Sequence, residues 1–321
     1  MKILANDGIS PSGKTALEQA GFEVITEKVA QENLADEINK QGIVGVLVRS
    51  ATTVRKEVID ACPGLKLIGR GGVGMDNIDV DYARSKGLEV INTPAASSQS
   101  VAELVFAHLF GAVRFIYDAN RQMPANGVTE FGKLKKNYAK GLELRGKTIG
   151  IIGFGRIGQS VAQYALGLGM NVLYCDRSKK AVDITVEVAN AGGITVTLPV
   201  SDMDTLLAQS DFISIHVPKQ ADGSAVITAT QFAKMKDGVV IINAARGGVV
   251  NEADLITALD NDKVAHAGLD VYDNEPTPSA AILAHKKVSL TPHIGAATVE
   301  AQDRIGTELA EKIASYFSVT A

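Results

Sequence analysis

Cysteine occurs only twice in the 321 residues, at Cys62 and Cys175, too few for a disulfide framework or a cysteine-rich metal site, and no metal is expected. A basic excess is also missing: the formal charge is −4 and the basic clusters are short, so nucleic acid is not an expected partner. No apolar run approaches the ~18 residues that a membrane span needs, so no membrane partner is expected. The first residues, Met1–Asp7, turn polar after one short apolar run and read as a first strand rather than a signal peptide. Internal repeats and low-complexity tracts are absent too. What is left is a globular chain for which the cytoplasm is the expected compartment. Its length suggests about two domains, and its 46% hydrophobic content can build a core in each.

Three of the 31 glycines stand out because of their setting. Gly153, Gly155 and Gly158 follow the apolar run Thr148–Ile152, and Gln159–Leu168 then carries Val161, Ala162, Ala165, Leu166 and Leu168 at helical spacing. Strand, glycine turn and helix therefore come in the order of a dinucleotide-binding unit. The first glycine permits the tight turn, the second lets a pyrophosphate approach the backbone, and the third lets helix pack on strand. A second strand, Asn171–Cys175, ends in Asp176, which lies 18 positions after Gly158 (176 − 158). That is near the ~20 expected for an acid that meets the adenosine ribose. A carboxylate there repels a 2′-phosphate and favours NAD over NADP, an effect that the surface run Arg177, Lys179 and Lys180 can partly offset.

A complete α/β pattern precedes this turn, with apolar runs at Lys2–Ala5, Phe22–Thr26, Ile43–Arg49, Leu65–Arg70 and Leu88–Asn92. A long helix follows, opening at Ser100-Val101-Ala102-Glu103 as a capping box, and reads as a bridge between domains. Pro124–Lys147, with Gly127, Gly132, Lys133, Lys135, Lys136, Lys140 and Gly141, has little periodicity and reads as an irregular arm for oligomer or substrate contacts. Runs at Phe212–Val217, Val239–Asn243, Ala265–Leu269 and Val288–Leu290 complete a second sheet. From Ala296 to Phe317 helical spacing returns, and this helix is expected to pack back on the first domain. The expected fold is α/β with two doubly wound parallel sheets, a Rossmann cofactor domain over 99–291 inserted into a flavodoxin-like substrate domain over 1–98 and 292–321.

Hydride transfer to a carbonyl needs a proton source and a cation, both at the carboxyl ends of strands. Arg246 lies in the turn Ala244-Ala245-Arg246-Gly247-Gly248 leaving one strand, where a guanidinium can grip a carboxylate and polarise a carbonyl. Of five histidines, His108 lies inside a helix and His285 in a polar loop, both read as structural or solvated; His266 is embedded in a strand. His216 ends the strand Phe212–Ile215 near the cofactor edge and reads as a supporting residue. His293, in Thr291-Pro292-His293-Ile294-Gly295, is the best acid/base candidate because imidazole titrates at ~6.5. It needs an orienting acid, for which Glu275, Asp270 and Asp273 are all open.

With these residues in place, the chain resembles the D-isomer-specific 2-hydroxyacid dehydrogenases along nearly its whole length. The resemblance is carried by Leu144–Thr148, Asn243–Gly248, Gly268–Tyr272 with Asn274-Glu275-Pro276, and Thr291–Gly295. It implies that Arg246 binds the substrate carboxylate and carbonyl, His293 is the general acid/base, Glu275 orients it, and Asp270 lies near the nicotinamide. It extends the NAD contacts to Gly153, Gly155, Arg156, Ile157, Gly158, Asp176, His216, Val217, Pro218, Ala244, Ala245, Arg246, Asp270, His293 and Gly295. Val48–Thr52, Gly69–Asp79 and Asn92-Thr93-Pro94 look most like the branch that oxidises a phosphorylated glycerate. There, amides at Gly72, Val73 and Gly74 would meet the carboxylate, while Arg49, beside Ser50, and a lysine of Lys133–Lys140 would hold a phosphate. Arg246, Glu275 and His293 would then line a cleft whose other wall comes from the first hundred residues. The sequence ends after its last helix, so no serine-sensing regulatory module is expected. The expected partners are a small 2-hydroxy or 2-oxo acid and further copies of the chain, as a homodimer or higher homo-oligomer. Rivals are a glyoxylate, hydroxypyruvate or D-lactate type enzyme and, in another class, an NAD-responsive binding scaffold.

Overall fold

A computed structural model describes residues 1–178 and 180–319, so Lys179 lies outside the described residues. The chain divides into two compact units, one of Met1–Ser98 with the segment from Ala296 onward, the other of Gln99–Gly295.

The first unit is built on β1 (Lys2–Ala5), β2 (Glu23–Ile25), β3 (Ile43–Val48), β4 (Leu67–Arg70) and β5 (Glu89–Asn92), in the order β2-β1-β3-β4-β5. All pairs are parallel, and the order is the flavodoxin-like one. Parallel strands are covered on both faces, which is why these runs are apolar at nearly every position. Alternate residues divide between two cores: Leu4, Val46, Val48 and Ile68 on one face, Ile3, Ala5, Leu47 and Leu67 on the other. Helices α2 (Leu34–Gln41), α3 (Lys56–Ala61) and α4 (Val80–Ser85) contribute Leu34, Ile38, Ile59 and Ala83 to the first core. Helix α1 (Pro11–Gln19) and the terminal helix Val299–Val319 contribute Leu17, Ile305, Leu309, Ile313 and Phe317 to the second. Those two helices meet backbone to backbone, since a Cβ on Gly13 would lie 2.6 Å from the Gly306 backbone.

The second unit opens with α5 (Ser98–Val113) and α6 (Ile116–Asn137), broken at Phe115, which has φ 56°. Strands β6 (Thr148–Ile152), β7 (Asn171–Cys175), β10 (Phe212–Ile215), β11 (Val239–Asn243), β12 (Val264–Leu269) and β13 (Val288–Leu290) form a parallel sheet ordered β13-β12-β11-β10-β6-β7. Chain order reverses between β6 and β10, which is where ligands bind in open α/β sheets. Helices α7 (Arg156–Gly167), α8 (Met203–Gln209), α9 (Ala229–Lys234), α10 (Glu252–Asp260) and α11 (Ala280–Ala284) complete the unit, α5 and α7 on one core and the other four on the second.

Four expectations need correction. The proposed irregular arm is mostly helix: α6 runs through Pro124 to Asn137, with one non-helical residue at Glu130. It has no buried stripe, since Leu134 is its one buried residue and Val128 and Phe131 are exposed, so periodicity cannot reveal it. Second, β8 (Ala181–Val188) and β9 (Gly192–Pro199) form an antiparallel hairpin that the strand reading passed over. Its buried Ile184 and Leu198 join the core, while Thr185 and Thr195 pair across the exposed face at 2.9 Å. Third, α5 begins at Ser98, and Ser100 is no cap, because its hydroxyl donates to the Gly295 carbonyl at 2.6 Å. Last, Pro292–Gly295 cluster with the second unit, held there by amide bonds from Ile294 and Gly295 to Asp270.

The Gly13–Gly306 crossing yields a prediction. Alanine usually stabilises a helix relative to glycine, by about 1 kcal/mol, but Gly13→Ala should destabilise by about 1–3 kcal/mol through overpacking against the Gly306 backbone. A denaturant midpoint at or above that of the wild type would show that the helices can separate without cost.

Candidate active site

Each glycine of the turn after β6 meets a distinct requirement. Gly153 has φ 90°, and a Cβ there would lie 2.5 Å from the His216 carbonyl, so the turn packs directly on the loop leaving β10. Gly158 sits on the first turn of α7, where a Cβ would lie 2.3 Å from the Gly153 carbonyl. Gly155 caps the helix and faces open space. The helix N-terminus of Arg156, Ile157 and Gly158 is thus approachable from the side a pyrophosphate would take. Asp176 follows β7 and braces this turn: its carboxylate accepts the Phe154 amide at 2.8 Å and the Ser178 amide and hydroxyl at 2.8 and 2.9 Å. Phe154 itself is stacked on Tyr174 with ring centroids 3.8 Å apart. These residues fit a dinucleotide.

His216, Val217 and Pro218 leave β10 beside the glycine turn. The imidazole Nε2 of His216 bonds to the Ser214 hydroxyl at 2.8 Å, while Nδ1 is enclosed without a hydrogen-bond partner. Burial pushes this histidine down to about 3, so it is neutral at ordinary pH.

Past β11, the turn Ala244–Gly248 carries Arg246 and is tightly determined. Asn243 donates to the Arg246 carbonyl at 3.0 Å and accepts from the Ala245 amide at 3.1 Å. A Cβ on Gly247 would lie 1.7 Å from the Tyr272 carbonyl, so the Arg246 turn and the loop after β12 are pressed together. The Gly248 amide reinforces this by donating to Asp273 at 2.6 Å. The same loop holds Glu275, whose Oε1 accepts the Tyr272 amide at 3.0 Å and whose Oε2 lies 2.7 Å from Nδ1 of His293. Of the three acids left open by the sequence, Glu275 is therefore the one beside His293. Burial alone would raise the Glu275 carboxyl; the hydrogen bonds from His293 and Tyr272 and the charges of His293 and Arg246 outweigh it and hold it below the usual carboxylate range. Asp270 is buried instead and accepts the Thr291 hydroxyl and the Ile294 and Gly295 amides, all within 2.7–2.8 Å.

Among the other histidines, His285 faces Asp260 at 3.3 Å and His266 bonds to the Tyr117 hydroxyl at 2.7 Å. His108 is neither solvated nor isolated: it is buried and bonded to Ser289 and Thr291. In the first unit, Arg49 and Ser50 follow β3, and the Arg49 amide donates to Asp7 at 2.7 Å. Gly72 to Gly74 follow β4, with Gly72 at φ 139°, but the Gly72 amide is taken by the Thr93 hydroxyl at 2.8 Å, and the Asn92 side chain donates to the Val73 carbonyl at 2.7 Å. Lys133 is paired with Glu130 at 3.0 Å, within α6. Arg70, which ends β4 and packs over Gly72, is not among the sequence candidates, because the family resemblance points to Arg49 and not to it. Among the described residues no cluster of three or more potential ligands could hold a metal ion, and no single helix is long and apolar enough to cross a membrane.

Comparison with known proteins gives a consistent result. Residues 106–295 match the model for the D-isomer specific 2-hydroxyacid dehydrogenase, NAD binding domain. The hydroxypyruvate reductase of Thermotoga maritima is 43% identical over 316 residues, covering 97% of both chains. The D-3-phosphoglycerate dehydrogenase of Archaeoglobus fulgidus is 42% identical over 315 residues, 98% of this chain but 56% of the relative, so this chain spans little more than half of its length. A solved glyoxylate reductase from Paecilomyes thermophila superposes with a TM-score of 0.81 at 31% identity, covering 98% of this chain and 94% of that one.

The enclosed His216 makes stability depend on pH with a definite sign. Its folded value, about 3, lies below the unfolded value, so its contribution is complete above ~6.5 and is lost as the pH falls from there toward 3. His216→Gln should flatten the loss between pH 6.5 and 4.5, where the wild type loses up to ~1.4 kcal/mol per pH unit through this group. Identical acid limbs in pH-dependent melting of the two proteins would rule out the enclosed neutral imidazole.

Proposed function

This chain belongs to the D-isomer-specific 2-hydroxyacid dehydrogenase family, and from that premise we propose that it oxidises D-3-phosphoglycerate to 3-phosphohydroxypyruvate with NAD, in the direction that feeds serine synthesis. The observation that carries the chemistry is the 2.7 Å pair of His293 and Glu275. Glu275 is an acceptor as a carboxylate, so Nδ1 of His293 is the donor and Nε2 keeps its lone pair for the substrate hydroxyl. NAD supplies the hydride acceptor for C2. His293 removes the hydroxyl proton at Nε2, and Glu275 stabilises the imidazolium that results. Arg246 grips the substrate carboxylate with paired hydrogen bonds and polarises the oxygen at C2. Asp176, already oriented by the Phe154 amide, accepts from the adenosine ribose.

The phosphorylated substrate is supported by the relative from Archaeoglobus and by Arg49. Val48 pairs with Arg70 across β3 and β4, so Arg49 and Arg70 carry two guanidinium groups to the same carboxyl edge of the first sheet. Lys133 is already paired to Glu130, so the phosphate contact is assigned to Arg49 rather than to Lys133. A second reading, reduction of hydroxypyruvate, is favoured by the near full-length match to the Thermotoga reductase. The two readings share the chemistry at C2 and differ only in the phosphate.

His293→Ala should lower kcat by ~10²–10⁴-fold with NAD binding retained; turnover near that of the wild type would remove the acid/base role from His293, whereas a wild type that oxidises no 2-hydroxy acid would favour an NAD-binding scaffold. Arg49→Ala should reduce kcat/KM for 3-phosphohydroxypyruvate by ~10–100-fold, as expected for a lost charge-assisted contact, and leave hydroxypyruvate within a few-fold. If wild-type kcat/KM is the same for both acids, hydroxypyruvate takes the place of the phosphorylated substrate. Asp176→Ala should raise KM for NAD and relax discrimination against NADP, and an unchanged preference would place Asp176 away from the ribose.

A further inference from the structure

His108 on α5 is a buried titratable side chain that the chemistry above does not use, and both of its ring nitrogens are engaged. Nδ1 lies 2.9 Å from the Ser289 hydroxyl on β13, and Nε2 lies 3.0 Å from the Thr291 hydroxyl just beyond that strand. The Thr291 hydroxyl has one proton, and it is donated to Asp270 at 2.7 Å. Nε2 of His108 must therefore donate to Thr291. Nδ1 then accepts from Ser289, which needs the neutral ring, and burial lowers the pKa of His108 accordingly. The bonds run in one direction, from Ser289 through His108 and Thr291 to Asp270.

Asp270 in turn accepts the amides of Ile294 and Gly295 at 2.8 Å, the two residues after His293. His293 itself has φ 55°, a left-handed conformation that a non-glycine residue keeps only where its surroundings impose it. The sheet also makes room for the imidazole. A Cβ on Gly268 of β12 would lie 2.7 Å from Cβ and 2.9 Å from Cγ of His108, so no larger residue fits at that position while the ring stays in place.

We propose that His108 is a positioning residue for the acid/base His293, acting through Thr291 and Asp270 to hold the turn Thr291–Gly295 in its left-handed conformation. The proposal rests on the reading of His293 as the acid/base. His108→Leu, close in volume but without hydrogen bonds, should lower kcat ~10–100-fold, as a small misplacement of a reacting group does, with KM for NAD within about twofold. His108→Gln, whose amide can accept from Ser289 and donate to Thr291, should recover most of that loss. Gly268→Ala, which crowds the ring and the tip of Ile242 but leaves Ser289, Thr291 and Asp270 unsubstituted, should reproduce the leucine phenotype. In a Thr291→Val background, His108→Leu should cost less than a further twofold, because both substitutions cut one chain. Wild-type kcat in His108→Leu, equal losses in the glutamine and leucine variants, or multiplying losses in the double variant would each overturn the proposal. An active His293→Ala would remove the underlying reading instead, whereas an inactive His293→Ala beside a fully active His108→Leu rejects the positioning role alone.

Discussion

A buried carboxylate has to be hydrogen-bonded, and Asp270 meets that requirement with donors from the very turn that carries His293. Leaving water costs an ionised group several kcal/mol unless donors replace the lost solvation. Here the replacements are the Thr291 hydroxyl and the Ile294 and Gly295 amides, so satisfying Asp270 and shaping the turn that carries His293 are the same event. The start of α5 is tied to that turn by the bond from Ser100 to the Gly295 carbonyl. His293, the proposed acid/base, is thus placed by the end of β12 and the segment after β13 together, and its unusual backbone angle follows from that double constraint.

Two histidines near the carboxyl edge of the same sheet show how environment assigns roles to one side chain. His216 is enclosed, bonded only to Ser214 through its side chain, and held neutral. His293 is about a third exposed and bonded to a carboxylate whose hydrogen bonds and charged neighbours outweigh the effect of burial and hold it below the usual carboxylate range. An imidazole that must exchange protons with a substrate needs access and a counter-charge. One that packs behind the glycine turn needs neither.

Much of the site was legible in the sequence because its parts are local. The glycine turn, Asp176, Arg246 and His293 each follow an apolar strand run, and the carboxyl end of a parallel strand is where an α/β sheet presents chemistry. The choice among Glu275, Asp270 and Asp273 was not legible. All three leave the same strand within six positions, and which one turns toward His293 depends on the Tyr272 amide within the loop and on the Gly248 amide, which takes Asp273 from across the sheet edge. Helix α6 was hidden for a different reason: a helix with one buried residue has no apolar stripe to read, and Pro124, Gly127 and Gly132 look like loop residues. The β8–β9 hairpin, by contrast, displayed its alternation openly in Asp183-Ile184-Thr185-Val186-Glu187 and the glycines at 192 and 193.

The sequence by itself determined the two parallel sheets, the glycine turn and the side chains proposed for the chemistry, because periodicity and turn chemistry are properties of neighbouring residues. Tertiary structure alone decided which of those side chains work together. His108 and Thr291 stand 183 positions apart, and His293 and Glu275 stand 18 apart. Whether a histidine is a core residue, a supporting residue or an acid/base is settled by what the fold brings within about 3 Å of its two nitrogens, and that distance is not written in the order of the chain.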